Sequence, residues 1–129
     1  MSFEAEEEVR VLFIEDDAAV ADMYRLKLEL DGYVVDVAGD GLVALEKARG
    51  LVPDIIFLDI RLPKLDGLSV LEKLRAEPLT AGIPVVILSN WNEKELVDRG
   101  LRLGALDHLI KSQTTPGKLS RRLQEWLKA

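Results

Sequence analysis

Residues 54–63 read Asp54-Ile55-Ile56-Phe57-Leu58-Asp59-Ile60-Arg61-Leu62-Pro63, with Asp66-Gly67 just beyond. Four consecutive apolar residues capped by an aspartate do not alternate as a half-buried strand would. They fit a short strand covered on both faces, which is the environment of a central strand in a parallel sheet. Working outward, similar short apolar runs recur at Val11-Leu12-Phe13-Ile14, Val34-Val35, Val85-Val86-Ile87-Leu88 and Leu109-Ile110. Between them lie helical spacings: Val20/Tyr24/Leu28, Leu45/Ala48, Leu68/Leu71/Leu74, Leu96/Leu103 and Leu119/Leu123/Leu127. Strand–helix–strand repetition at this spacing requires parallel strands joined by right-handed crossovers. The expected fold is therefore α/β, a five-stranded parallel sheet doubly wound with helices on both faces.

Punctuation supports that parse. Asp31-Gly32 ends the first helix, Gly104 closes the fourth, and Pro116 suits the first turn of the last. Asn92, with Glu95 three residues on, reads as a capping box for the fourth helix. The chain has 129 residues, enough for one ordinary domain. Residues 1–8, holding Glu4, Glu6, Glu7 and Glu8, read as an acidic tail, and residues 9–129 as the folded domain. The chain stops one residue after the last helical segment, so no attached output domain is expected.

Composition removes several classes of function. With 17 basic and 23 acidic residues the net charge is −6, which argues against a phosphate backbone or an anionic membrane surface as the main partner. There is no cysteine, so disulfides, thiolate zinc sites and a cysteine nucleophile are excluded. The single histidine, His108, cannot build a multi-histidine metal site. No apolar run approaches the roughly 20 residues of a membrane span, and the acidic start is not that of a signal peptide. A cytoplasmic protein is expected.

In an open parallel sheet, chemistry collects outside the carboxyl ends of the strands. Those positions hold Glu15-Asp16-Asp17 after the first strand and Asp59 after the third. The fourth strand ends in Ser89-Asn90 and the fifth in Lys111. Several carboxylates in one crevice need a cation, and ligands that are all oxygen favour a hard ion such as Mg²⁺, or Mn²⁺ in its place. A carboxylate beside such an ion, with a lysine and a hydroxyl, is a set of parts for phosphoryl transfer. Asp59 is the leading nucleophile, because it closes the most apolar strand. Taken singly, Asp16 or Asp17 also reads as a helix N-cap and Asp59 as a strand-end cap.

These segments together resemble the receiver domain of two-component response regulators, single-domain and chemotaxis-receiver-like, over residues 9–128. The resemblance lies in Val11 to Asp17, in Asp54 to Pro63 with Asp66-Gly67, in Val85 to Ser89 and in His108 to Lys111. It implies a flavodoxin-like fold and transfer of a phosphoryl group from a histidine kinase or a histidine phosphotransfer domain onto Asp59. Glu15 and Asp16 match the acidic pair of that family. The Mg²⁺ site it implies comprises Glu15, Asp16, Asp59 and the main-chain carbonyl of Arg61. Ser89 matches the switch hydroxyl and Lys111 the phosphate-contacting lysine, while His108 stands where a movable aromatic is usual. Such a protein catalyses only its own phosphorylation and dephosphorylation, and hands its state to a downstream protein target. A homodimer through the fourth or fifth helix is a further expectation, with no direct nucleic-acid or membrane contact.

Three positions depart from the family pattern. Ser112 follows Lys111 where a proline with a cis bond is usual. A cis bond before a non-proline residue costs about 2.5–4 kcal/mol, so a trans bond and a rerouted loop over Ser112-Gln113-Thr114-Thr115 are predicted. Asn90 replaces a small residue, and Trp91 falls at a flank of the phosphoryl group opposite Arg61. Crowding there by Trp91 and Arg61 predicts a longer-lived phospho-Asp59. His108 reads as a partly buried, satisfied ring at a helix-packing edge, with a pH-dependent switch as the alternative. Lys118, Arg121, Arg122 and Lys128 face only Glu125 on the last helix, a basic surface on which Trp126 is a candidate partner anchor.

Rival readings keep the fold and change the task. A flavodoxin-like cofactor binder would need a phosphate-cradling loop where Glu15-Asp16-Asp17 stands. An aspartate-based phosphohydrolase would need a second aspartate at position 61, where Arg61 stands. The alternative function is a pseudo-receiver, a protein-interaction module that is not phosphorylated.

Overall fold

The computed structural model describes residues 8–128, so most of the acidic tail, Glu4, Glu6 and Glu7 included, lies outside the described residues. Strands and helices alternate throughout: β1 (Arg10–Ile14), α1 (Ala18–Leu30), β2 (Val34–Ala38), α2 (Gly41–Leu51) and β3 (Ile55–Leu58) come first. They are followed by α3 (Gly67–Ala76), β4 (Val85–Ser89), α4 (Lys94–Arg102), β5 (Asp107–Ile110) and α5 (Pro116–Lys128). All four strand pairings are parallel, in the order β2-β1-β3-β4-β5. That order reverses direction between β1 and β3, which opens a crevice at their carboxyl ends. β3 is the central strand, as the run at 55–58 predicts.

The continuous apolar runs divide between two cores. Leu12, Ile14, Ile56, Leu58, Val85 and Ile87 face α2 and α3, where Leu45, Leu71 and Leu74 meet them. Val11, Phe13, Ile55, Phe57, Val86 and Leu88 face α1 and α5 and meet Tyr24, Leu28, Leu119 and Leu123. Successive strand residues point to opposite faces, so both sets must be apolar when both faces are covered. Phe13 stacks on Tyr24 with ring centroids 5.1 Å apart. Trp126 packs against this second core, 5.9 Å from the Phe57 ring, and the Arg122 guanidinium lies 4.8 Å from its ring centroid. Trp126 is half-buried, with part of its surface packed against this core.

Helix ends follow the local chemistry. Asp17 caps α1 by accepting from the N–H groups of Ala19 and Val20, and Gly32 takes φ +98° just beyond its end. Asp40 and Asp66 cap α2 and α3 by accepting from Val43 and Ser69. Thr115 accepts from Lys118 N–H ahead of Pro116. The Asn92–Glu95 capping box is not formed. α4 begins at Lys94 with Glu93 as its N-cap, which makes no side-chain cap bond. Its register is one residue later than the box requires, so Glu95 sits inside the first turn rather than at its third position.

Candidate functional site

The register of β1 on β3 pairs Ile14 with Leu58, so the residues just beyond them, Glu15 and Asp59, emerge side by side. The Asp59 N–H donates to the Ile14 carbonyl at 3.2 Å and fixes that adjacency. On the other side of β3, Leu58 pairs with Ile87 of β4, which carries Ser89 past the same edge. Ser89 pairs with Ile110 of β5, the residue before Lys111. The tertiary fold therefore brings four separate strand ends to one edge.

Glu15 and Asp59 are buried, with Asp16 exposed at the rim. Their carboxylate oxygens, one from each residue, lie within 4.8 Å of one another. Lys111 Nζ enters this group and donates to Glu15 Oε1 at 2.5 Å and to Asp59 Oδ2 at 2.6 Å. Three carboxylates against one ammonium leave a formal charge of −2, the balance a divalent cation would cancel. Asp59 Oδ1 is buried and has no hydrogen-bond partner. An orphaned carboxylate oxygen in such a place is costly unless a cation or another ligand completes it. All the donors are oxygen, so the residues present fit a hard ion such as Mg²⁺.

Burial pushes the Glu15 carboxyl above its ordinary value, against the Lys111 hydrogen bond and the Asp17 N–H that both favour its ionised form. For Lys111 burial acts downward, but the hydrogen bonds to Asp59 and Glu15 outweigh it and hold the ammonium above its usual range. Lys111 is thus a charged group held between two acids. Asp17 takes no part: its carboxylate is spent on the α1 cap.

The approach of α3 completes the floor. A Cβ on Gly67 would lie 2.0 Å from the Asp59 carbonyl oxygen, so only glycine allows this helix to start so close to the nucleophile candidate. Gly41 has the same relation to the Leu65 carbonyl, also at 2.0 Å, which lets α2 pack on the β3–α3 loop.

The flanking residues interact with one another. Arg61 lays its guanidinium 3.8 Å from the centroid of the Trp91 ring, a stacked cation–π pair. Ser89 Oγ accepts from the Trp91 N–H at 3.2 Å. His108 Nε2 is 3.0 Å from the Trp91 carbonyl, whereas its Nδ1 is buried without a partner, so the ring is half satisfied. The Lys111–Ser112 bond is trans, in line with expectation, as are all peptide bonds among the described residues. The segment after it forms a 3₁₀ turn, Lys111–Gln113. Asn90 Oδ1 accepts from the Ser112 N–H at 2.8 Å, a contact the sequence reading missed. Its only signal was that two departures from the family pattern stand at the ends of adjacent strands.

The structure thus brings together Glu15, Asp16, Asp59 and Lys111, joins Ser89, Trp91 and His108 into a second chain, and pairs Asn90 with Ser112. Residues 11–124 match the response regulator receiver domain. The DNA-binding dual master transcriptional regulator RpaA of Synechocystis is 41% identical over 79% of this chain and 42% of its own length, so the chain spans less than half of that relative. A CheY-like response regulator receiver domain protein from Methanospirillum hungatei superposes with a TM-score of 0.88 at 27% identity, covering 94% of each chain. The Francisella response regulator 1452 receiver domain gives 0.85 at 33% identity, over 94% of this chain and 98% of that one. No helix among the described residues is long and apolar enough to cross a membrane. The chain belongs to the receiver-domain family of two-component response regulators.

Proposed function

We propose that residues 9–129 act as a phosphoacceptor in the cytoplasm, with Asp59 as the nucleophile and a phosphohistidine on a histidine kinase or phosphotransfer domain as donor. The observation that carries this is the state of the Asp59 carboxylate, buried with one oxygen on Lys111 and the other without a partner. In the transfer, a carboxylate oxygen of Asp59 forms a bond to phosphorus while the phosphorus–nitrogen bond to the donor imidazole breaks. The imidazole leaves with that electron pair as the neutral ring, its other nitrogen keeping the proton it carried in the donor. Glu15, Asp16, Asp59 and the Arg61 carbonyl are the groups proposed to hold Mg²⁺. When bound, the ion supplies charge stabilisation to the oxygens of the transferring group. Lys111, already an ammonium beside Asp59, neutralises a phosphoryl oxygen without needing a proton. Ser89, whose oxygen accepts the Trp91 N–H, donates its hydroxyl proton to the phosphoryl group, and its movement toward that group loosens one tie of the β4–α4 loop.

That exchange couples the chemistry to His108 and α4, the surface proposed to meet a downstream protein or a second copy of the chain. Arg61 and Trp91, which stack on one another at 3.8 Å, are the pair proposed to restrict the water that hydrolyses the acyl phosphate in line, which would prolong the phosphorylated state. Intact mass after incubation with acetyl phosphate and Mg²⁺ tests the reading. One added phosphoryl group, absent in Asp59→Asn and in a chelated sample, is the expected result. No addition, together with no binding of beryllofluoride, would replace it with the pseudo-receiver.

A further inference from the structure

Lys111 has to present its ammonium to Asp59 from the first residue of a loop, so something must fix the backbone from which it projects. We propose that Asn90 is the positioning residue for Lys111, acting through the Lys111–Ser112 peptide group. This peptide is gripped at both ends. Asn90 Oδ1 accepts its N–H at 2.8 Å, and its carbonyl accepts from the Thr114 N–H at 3.2 Å. Holding that plane fixes the carbonyl carbon of Lys111, and with the nitrogen supplied by β5 this fixes the tetrahedral Cα from which the side chain leaves the main chain. Thr114 is anchored in turn, because its hydroxyl donates to the Ile110 carbonyl at 2.8 Å and its own carbonyl accepts from the Tyr24 hydroxyl.

Asn90 sits immediately after Ser89, so the grip comes from the neighbouring strand end and closes the edge of the site between β4 and β5. A proline at position 112 would have no N–H to offer, and Asn90 would have nothing to accept. Asn90 can make this contact because position 112 is not proline, and any other residue there would supply the same N–H. Among the described residues the Asn90 side chain makes its hydrogen bond to Ser112 and none to Glu15, Asp59 or Lys111, so its proposed action on the transfer runs through the position of Lys111.

This inference rests on the phosphoacceptor reading, and the experiment separates the two. Initial rates of phosphorylation by acetyl phosphate at saturating Mg²⁺ are measured for the full chain, for Asn90→Ala, for Lys111→Ala and for the double variant. Asn90 is exposed, and truncating it leaves the core intact. The expected result is a slowing of about fivefold or more in Asn90→Ala, the factor set by one net hydrogen bond. The Mg²⁺ titration midpoint, followed by tryptophan fluorescence, stays unchanged. In the Lys111→Ala background, removing Asn90 slows the reaction no further, which a merely structural role would not produce. An unchanged rate in Asn90→Ala, or equal slowing with and without Lys111, overturns the proposal. Should the unmodified chain take no phosphoryl group, the phosphoacceptor reading fails, and amide exchange at Ser112 decides the contact alone. Faster exchange in Asn90→Ala upholds the positioning of the Lys111 loop, and unchanged exchange overturns it.

Discussion

Replacing Gly67 with alanine joins the packing of the fold to the chemistry of the site. The added Cβ would lie 2.0 Å from the Asp59 carbonyl oxygen and 2.8 Å from Ile60 Cα. Both neighbours are backbone, so no change of rotamer relieves the contact. Ordinary contact begins at 3.4 Å, so the start of α3 and the end of β3 must separate by about 1.4 Å. The Gly67 N–H donates to the Ile60 carbonyl at 2.7 Å, and that bond is lost or lengthened in the process. Overpacking costs about 1–3 kcal/mol, the hydrogen bond about 1, and the better helix propensity of alanine returns about 1 at most. A net loss of about 2 kcal/mol lowers Tm by about 6–10 °C in a chain of this size. Displacing the nucleophile by about 1 Å also slows its reaction by up to about 100-fold. Scanning calorimetry and intact-mass kinetics with acetyl phosphate, at a temperature where both proteins are folded, read the two effects. A Tm within about 1 °C of the parent and a rate within about twofold would refute the close approach, because errors of that size lie below the strain the contact must create.

Three further outcomes follow from the same geometry. Val52 ends α2 at φ 44°, a left-handed conformation that a β-branched residue adopts only under strain, so Val52→Gly raises stability by about 1 kcal/mol in thermal unfolding. Asp17→Ala removes the α1 cap and costs about 1 kcal/mol while leaving the Mg²⁺ titration unchanged, whereas Asp16→Ala weakens Mg²⁺ binding with little loss of stability. Trp91→Ala removes the ring on which Arg61 stacks and speeds release of inorganic phosphate from the phosphorylated chain; an unchanged rate would remove Trp91 and Arg61 from the hydrolysis step.

The sequence alone determined the sheet, because residues 11–14, 55–58 and 85–88 are apolar without interruption, and only strands covered on both faces use such runs. It also marked Glu15, Asp16, Asp59, Ser89 and Lys111, since polar residues stand out where an apolar strand stops. Position along a chain does not carry direction in space, and there the tertiary structure decided. Asp16 and Asp17 are adjacent and chemically alike, yet the start of α1 turns Asp17 onto its own backbone and leaves Asp16 at the rim of the crevice. Trp126 stands on a basic helix that reads as a surface, but the side of α5 it occupies is the one that closes on Phe57. The capping box at Asn92 was legible as a motif, and a start one residue later made it irrelevant. Asn90 and Ser112 are 22 positions apart, and only the pairing of β4 with β5 brings that side chain to that N–H. Local composition sets which segments form strands and which ends carry charge; which of those charges meet is fixed by strand order and register, because these are properties of the packed sheet and of no single segment.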